Sequence, residues 1–392
     1  MRWRRIWLVR TMAKTSKPLR LQDVRPTPER VAKLQQRALM RLQLRVVGEI
    51  HRIYGEFGEW LRGAVTGVAD DEGLVSESAI QALMPTIEQR WQAAHRSFVA
   101  LLTKAREQAA DIPFGSLVIW HNSYVRPLDE SLEERLIGAD EVGALIRMWI
   151  SRRDRALALA ADHLWSDGFT LSARIWRLQN DGIEPIRSVL HAAMSERTNA
   201  LDLARQLEPL LGASQDCPRW TVTRLYRMTP AERAGARRGL VSGGDCAGQG
   251  VAYKALRLAR NEIQVAHHRM SDEIAQHSPW IEQEEIVLSP QHPETDICDK
   301  VVEGNPYAVG EVTLPIHPQC LCGKRHVMAD RKQFVSDVRG WLRGENSYLD
   351  DYAEWTGNQQ PTDQLPWTLS LADSMELWLN TARDGHAEAL GL

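Results

Sequence analysis

Apolar residues recur at intervals of three and four along most of the chain, and alternation by two is confined to short runs in its last third. From Pro28 to about Val65, the residues Val31, Leu34, Ala38, Leu42, Val46, Ile50, Ile53 and Phe57 fall on the longer spacing. That spacing predicts an amphipathic helix. The stretch "DDEGLVSES" interrupts it, and a second helical pattern runs from about Glu77 to Ala109. Pro85 is expected to kink or delay its first turn, and the two helices are expected to form an antiparallel hairpin. After a loop expected at "DIPFGS", a third helical stretch covers about Leu128 to Leu164 with an interruption at Gly138. Short helices follow up to Gly212, the first capped by Thr170 or Ser172, and another begins at Thr229.

Ser242 to Gly250, "SGGDCAGQG", holds four glycines in nine residues, too many for a helix or a strand interior. Beyond this linker Ala252, Leu256, Ala259, Ile263, Ala266, Met270 and Ile274 trace the sharpest helical stripe in the chain. "EEIVLSP", "EVTLP" and "CLCGKRHVM" then read as short β-prone runs punctuated by Pro and Gly. The expected fold is mainly α with a small α+β C-terminal module. The expected divisions are a basic arm (1–27), a helical domain (28–165), a helical connecting module (166–241), the linker (242–250), the α+β module (251–330) and an acidic extension (331–392).

Composition narrows the class. The chain has 392 residues, 43% hydrophobic and 25% charged, and no apolar run approaches the roughly 20 residues of a membrane-spanning helix. No membrane span is expected. The opening "MRWRRIWLVRTMAK" is basic, but Arg breaks its apolar stretch, so a secretory signal is not expected; residues 1–11 read either as an extension ahead of Met12 or as a Trp-bearing arm. Five cysteines, an odd number thinly spread, do not suggest a disulfide framework. The net charge of -3 conceals a polarity: residues 1–62 carry 15 Lys/Arg against 5 Asp/Glu, and residues 327–392 carry 5 against 11. A basic end suits a polyanion such as nucleic acid, an acidic protein surface, or simply a solvated helix face. Of 14 tryptophans, Trp60, Trp91, Trp149 and Trp176 fall within helical patterns, as core residues would. Trp3, Trp7, Trp355 and Trp367 lie outside them and are candidates for partner contacts.

The chemistry concentrates between Ser289 and Val327, "SPQHPETDICDKVVEGNPYAVGEVTLPIHPQCLCGKRHV", which holds three of the cysteines and three histidines. Cys298, His317, Cys320 and Cys322 are donors of the kind a tetrahedral zinc site uses, and in an extended segment Cys320 and Cys322 share a face. Pro315 and Pro318 restrict the backbone around His317, while His292 and His326 are rival ligands. A bound metal, a packed cluster of reduced thiols and a disulfide are all compatible with this pattern. A catalytic metal would also need an open position and a base, for which Asp296 and Asp299 are the nearby carboxylates. Arg260 and Glu262, two apart on a helix, do not face each other. Each is expected to anchor the island, Arg260 by collecting unpaired carbonyls with its five donors. His267 and His268 project about 100° apart and are expected to be exposed. No phosphate-cradling Gly motif, nucleophile elbow or paired-carboxylate signature is present.

Three segments, "TLSARIWRL", "YKALRLARNEIQVAHHRM" and "SPQHPETDICD" with "PIHPQCLCGKR", occur in an order and spacing that resembles the phage Mu F-like head morphogenesis proteins, minor head proteins of tailed bacteriophages. The resemblance covers about residues 165 to 328. Its most specific parts are Ala259 to Glu262, similar to the family's Ala-Arg-Thr-Glu with Asn261 in the Thr place, and His317 to Cys322, where Leu321 stands for a common Arg. Where some members carry Cys-x-x-Cys ahead of the His-Pro element, this chain has Cys298 alone. The resemblance implies a virion protein without enzymatic activity, inside the head near the portal and made in the host cytoplasm. Its implied role is head morphogenesis with DNA packaging or ejection. It further implies the portal protein and other head proteins as partners, with packaged DNA as a further one. Arg260, Glu262, Asp296 and His317 would be structural motif residues, and Cys298, His317, Cys320 and Cys322 the ligands of a structural zinc. A metal-dependent nuclease or other DNA-processing enzyme is the alternative.

Overall fold

Thr27 starts the first helix: its hydroxyl accepts from the backbone N–H of Arg30, with Pro28 at the first helical position. This helix, α1 (Pro28–Gly67), buries every residue of its expected stripe, Val31 through Phe57. In the computed structural model, the described residues are 27–124, 152–164, 168–196, 198–211, 250–289, 296–317 and 320–352. The arm before Thr27, the start and Gly138 interruption of the third helix, the Thr229 helix, most of the linker and the acidic end beyond Tyr352 therefore lie outside them. So do Trp3, Trp7, Trp149, Trp355, Trp367 and His292.

The second helix, α2 (Glu77–Tyr124), starts where expected, with the Ser76 hydroxyl accepting from Ala79 N–H. It runs through Pro85 without a delayed first turn and through Pro113 without the loop expected at Asp111–Ser116. Burial explains both departures: Ile80 and Ile87 flank the first proline, and Ile112, Phe114 and Leu117 surround the second, all fully buried or nearly so. An interior proline costs about 3 kcal/mol, and one large buried apolar side chain returns roughly 1.5 to 3 kcal/mol. The α1–α2 pair is antiparallel, as contacts Gln35–Ser116, Arg45–Gln108, Tyr54–Phe98 and Phe57–Trp91 step in opposite directions along the two helices.

The short helices expected after Trp165 are instead one long helix, α3 (Leu171–Glu196), followed by α4 (Ala200–Leu211). Gly182 lets α3 approach α2: a Cβ there would lie 2.6 Å from the Trp91 ring, whose indole N–H donates to Gln179 O at 3.0 Å. The stripe from Ala252 to Ile274 forms α5 (Gly250–Gln276) and is buried throughout. The helix is buried on its other faces too, because α1, α2, α3 and α4 all pack around it. His267 and His268 are consequently buried, not exposed. The residues of α1 to α5 share one contiguous core, which Trp280, Phe334 and Val338 extend.

A three-stranded antiparallel sheet follows, β1 (Ile281–Val287), β2 (Tyr307–Ala308) and β3 (Gly323–Met328) in the order β2-β1-β3. The short helix α6 (Ile297–Glu303) precedes β2, and α7 (Arg331–Leu342) closes the described part of the chain, with Asp330 as its cap. Of the β-prone runs, "EVTLP" forms no strand. Beyond the two-residue β2, the Asn305 side chain takes over the pairing with β1, accepting from Ile286 N–H and donating to Ile286 O, both at 2.8 Å. The mainly α fold with a small C-terminal sheet is thus the observed architecture. Helix α5, grouped with the island in the sequence reading, lies inside the helical core.

Candidate metal centre

Asp296 begins the site. It caps α6 in a reciprocal box, its side chain accepting from Cys298 N–H at 2.6 Å while Asp299 accepts from Asp296 N–H at 2.8 Å. The box fixes Cys298 in the first turn, with its sulfur turned into the island. His317 and Cys320 arrive from the Pro-rich return, where Cys320 N–H bonds back to His317 O. Cys298 Sγ then lies 3.2 Å from His317 Nε2 and 3.7 Å from Cys320 Sγ. The ligand atoms of Cys298, His317 and Cys320 all fall within 4.8 Å of one another. Asp296 Oδ2 is 3.1 Å from the same imidazole nitrogen.

These separations suit one ion. Zn–S bonds of about 2.3 Å at tetrahedral angles place two sulfurs about 3.8 Å apart, close to the separation of Cys298 and Cys320. Cys322, also buried, joins through side-chain hydrogen bonds to Cys320 and Cys298. Hydrogen bonding with Cys322 holds the Cys320 thiol down to about 5 against the opposing effect of burial. Burial pushes Cys298 up, and the bond to Cys320, followed by burial, pushes Cys322 up. A bound cation would favour deprotonation of the ligand thiols. All three cysteines are free thiols, so the expected disulfide alternative is not the one adopted.

The three cysteines, with Ile286 and Leu314, form a small core separate from the helical one. Its link to the helices is a buried ion triad. Lys324, on β3, is 2% exposed at its side chain and places Nζ 2.6 Å from Asp272 on α5 and 2.7 Å from Glu284 on β1. Burial raises the Asp272 carboxyl to about 6, with Lys324 opposing. The other α5 acids also pair outward: Glu262 meets Arg106 of α2 at 3.8 Å, and Glu273 meets Arg152 at 3.5 Å. Glu262 thus braces α2. Desolvation lowers the partly buried Arg260 to about 10; it faces a cavity of about 60 Å³ whose lining includes Gln43, Gln264, Ser289 and Cys322. Gln43 Nε2 and Gln264 Oε1 are buried there without a protein partner, and the volume accommodates ordered water, which needs roughly 10–15 Å³ per molecule.

The structure brings together Cys298, His317 and Cys320, with Asp296 against the imidazole and Cys322 in the same small core but outside that ligand group, and sets His326 on β3 with its ring buried outside the cluster. The Asp272–Glu284–Lys324 triad was missed by sequence reasoning. A signal for it existed: Cys320, Cys322, Lys324 and His326 share one parity in an extended run, so the face that buries the cysteines also buries the lysine. Against protein-family models, curated proteins and solved structures, the chain shows no match.

Proposed function

We propose that the chain is a minor head protein of a tailed bacteriophage, portal-associated and structural, in which the island is a zinc-braced attachment on a helical scaffold. The observation that carries the reading is the convergence of Cys298, His317 and Cys320. His317 and Cys320 belong to one of the segments with the most specific resemblance, and Cys298 meets them although α6, β2 and the Pro-rich return lie between. The other resembling segments support it as well, because α3 carries "TLSARIWRL" and packs on α5, which carries Ala259 to Glu262. With Cys298, Cys320 and Cys322 almost wholly buried, zinc held there would stabilise the fold of the island in the way structural sites do. The nuclease alternative has less support: Asp296, the carboxylate nearest the cluster, caps α6 through one oxygen and meets His317 through the other.

Mass spectrometry of purified virions tests the placement: a few copies per particle are expected, and absence from particles overturns it. Elemental analysis tests the brace, with one zinc per chain expected and its loss on Cys320→Ser. DNA incubated with the protein and Mg²⁺, Mn²⁺ or Zn²⁺ is expected to stay intact; cleavage abolished by His317→Ala would establish the alternative.

A further inference from the structure

A trough of about 330 Å³ lies between α3 and α5, lined by Arg174, Arg177, Lys254, Arg257, Leu178, Leu258 and Asn261. Among the described residues, four cations line it and no carboxylate does. On each helix the two cations are three residues apart, Arg174 with Arg177 and Lys254 with Arg257, so they sit side by side on one face. Arg177, Lys254 and Arg257 are exposed.

Several other surface arginines pair with acids, Arg52 with Glu49 and Glu56, Arg187 with Glu88 and Glu184, Arg205 with Asp202 and Arg343 with Glu345. Arg177 and Arg257 contact aromatic rings, Phe169 at 4.4 Å and Tyr253 at 6.0 Å, as Arg90 contacts Trp60 at 5.1 Å. Arg174 and Lys254 lie at the end of the first turn of two long helices, neither of which has an acid there, and a helix dipole disfavours positive charge at that end. Mutual repulsion among the four cations opposes this arrangement in the isolated chain, and a bound polyanion relieves it.

We infer that the α3–α5 trough binds the phosphodiester backbone of a nucleic acid. Three of its four cations are guanidiniums, whose planar fork matches phosphate oxygens in pairs. Phe169, 4.4 Å from the Arg177 guanidinium, sets an aromatic ring beside one of these cations, and cationic grooves flanked by aromatic rings are the usual means of holding single strands. An acidic peptide is the competing occupant, which competition by polyglutamate separates below. The inference stands on these residues alone and does not rest on the head-protein reading: a chain absent from virions could still bind nucleic acid here.

The test is fluorescence anisotropy of a labelled 20-nucleotide DNA, single-stranded and duplex, with the full chain over a range of salt. The triple variant Arg177→Gln, Lys254→Gln, Arg257→Gln changes only exposed side chains, and circular dichroism verifies that it is folded. It is expected to bind at least ten-fold more weakly. Its log–log salt slope should be shallower by about 2 on single strands and nearly 3 on duplex. A control removing three cations elsewhere, Arg52→Gln, Arg205→Gln and Arg343→Gln, should change affinity less than three-fold. Absence of DNA binding by the unaltered chain overturns the inference, as does equal loss in the two triple variants. Polyglutamate that displaces DNA at equal charge concentration overturns it in favour of an acidic protein partner.

Discussion

The helical core and the Cys-rich island are held together by different means. In the first, some fifty large and small apolar side chains from five helices share one continuous interior, and no single one decides the fold. In the second, five buried residues, three of them cysteines, form the whole interior. The polypeptide around them is mostly irregular, ordered by side-chain bonds from Asp296, Asn305 and Glu284 to backbone groups. Stability spread over area tolerates local damage; stability concentrated in a few donors does not. The difference predicts where substitution should be felt globally and where it should open only one part of the molecule.

The junction between the regions should give the largest effect. Lys324→Met leaves Asp272 and Glu284 buried without their shared cation, and removing one partner of a buried ion pair typically costs about 3–5 kcal/mol. Urea unfolding followed by circular dichroism measures it; a loss below about 1 kcal/mol would mean that the triad is solvated and that the two regions are only loosely joined. Within the helical core, Leu256→Ala should cost about 2–5 kcal/mol and slow amide exchange should be lost throughout α1, α2 and α5 together. Leu314→Ala, at an equally buried position in the island, should accelerate exchange in β3 and α6 while leaving α5 protected.

The helices were the legible part, and the reason is repetition: eight stripe positions in α1 and seven in α5 each report the same face, so one atypical residue does not hide the pattern. Proline was over-read at Pro113 because its local cost is visible in the sequence, whereas the burial that offsets it depends on α1 and α5 passing nearby. His267 and His268 were misplaced for a related reason. Along most of its length, a helix packed against four others keeps little solvent side, and its polar residues look exposed until their neighbours are known. In the island the donor set Cys298, His317, Cys320 and Cys322 could be named from residue type and parity, but not the state of its thiols, which depends on separations of a few tenths of an ångström. The partner of Glu262 was out of reach, since Arg106 lies 156 positions earlier in the chain.

Acid should strain the core through groups that the helices bury. Burial holds His267 and His326 near about 4 and His268 well below its ordinary value, and it raises Asp272 to about 6. Between about pH 4 and 6 the unfolded chain binds three protons on these histidines that the folded chain refuses. The folded chain keeps one on Asp272 that the unfolded chain has lost. The unfolded state therefore holds about two more protons. Stability should rise with pH across this window by roughly 2–3 kcal/mol per pH unit at its steepest and be lost as pH falls from about 6 toward 4. Denaturation midpoints measured at half-unit steps in the presence of a chelator check the sign; a flat profile would mean that these rings are hydrated. The smallest effect belongs to the surface: Arg205→Ala, which removes an exposed pair with Asp202, should alter stability by less than about 0.5 kcal/mol.

Asn305 has a bearing on how copies of the chain treat one another. A two-residue β2 leaves most of that side of β1 available as a template for a foreign strand, the situation that leads folded proteins to aggregate through their sheet margins. By satisfying both the N–H and the C=O of Ile286, one amide side chain occupies the next rung, where an incoming strand would have to pair. Asn305→Leu should leave the fold recognisable by circular dichroism yet make sedimentation concentration-dependent, because the rung is then open. Colloidal behaviour, a property of the population and not of one molecule, would in that case depend on a single side chain that imitates a strand.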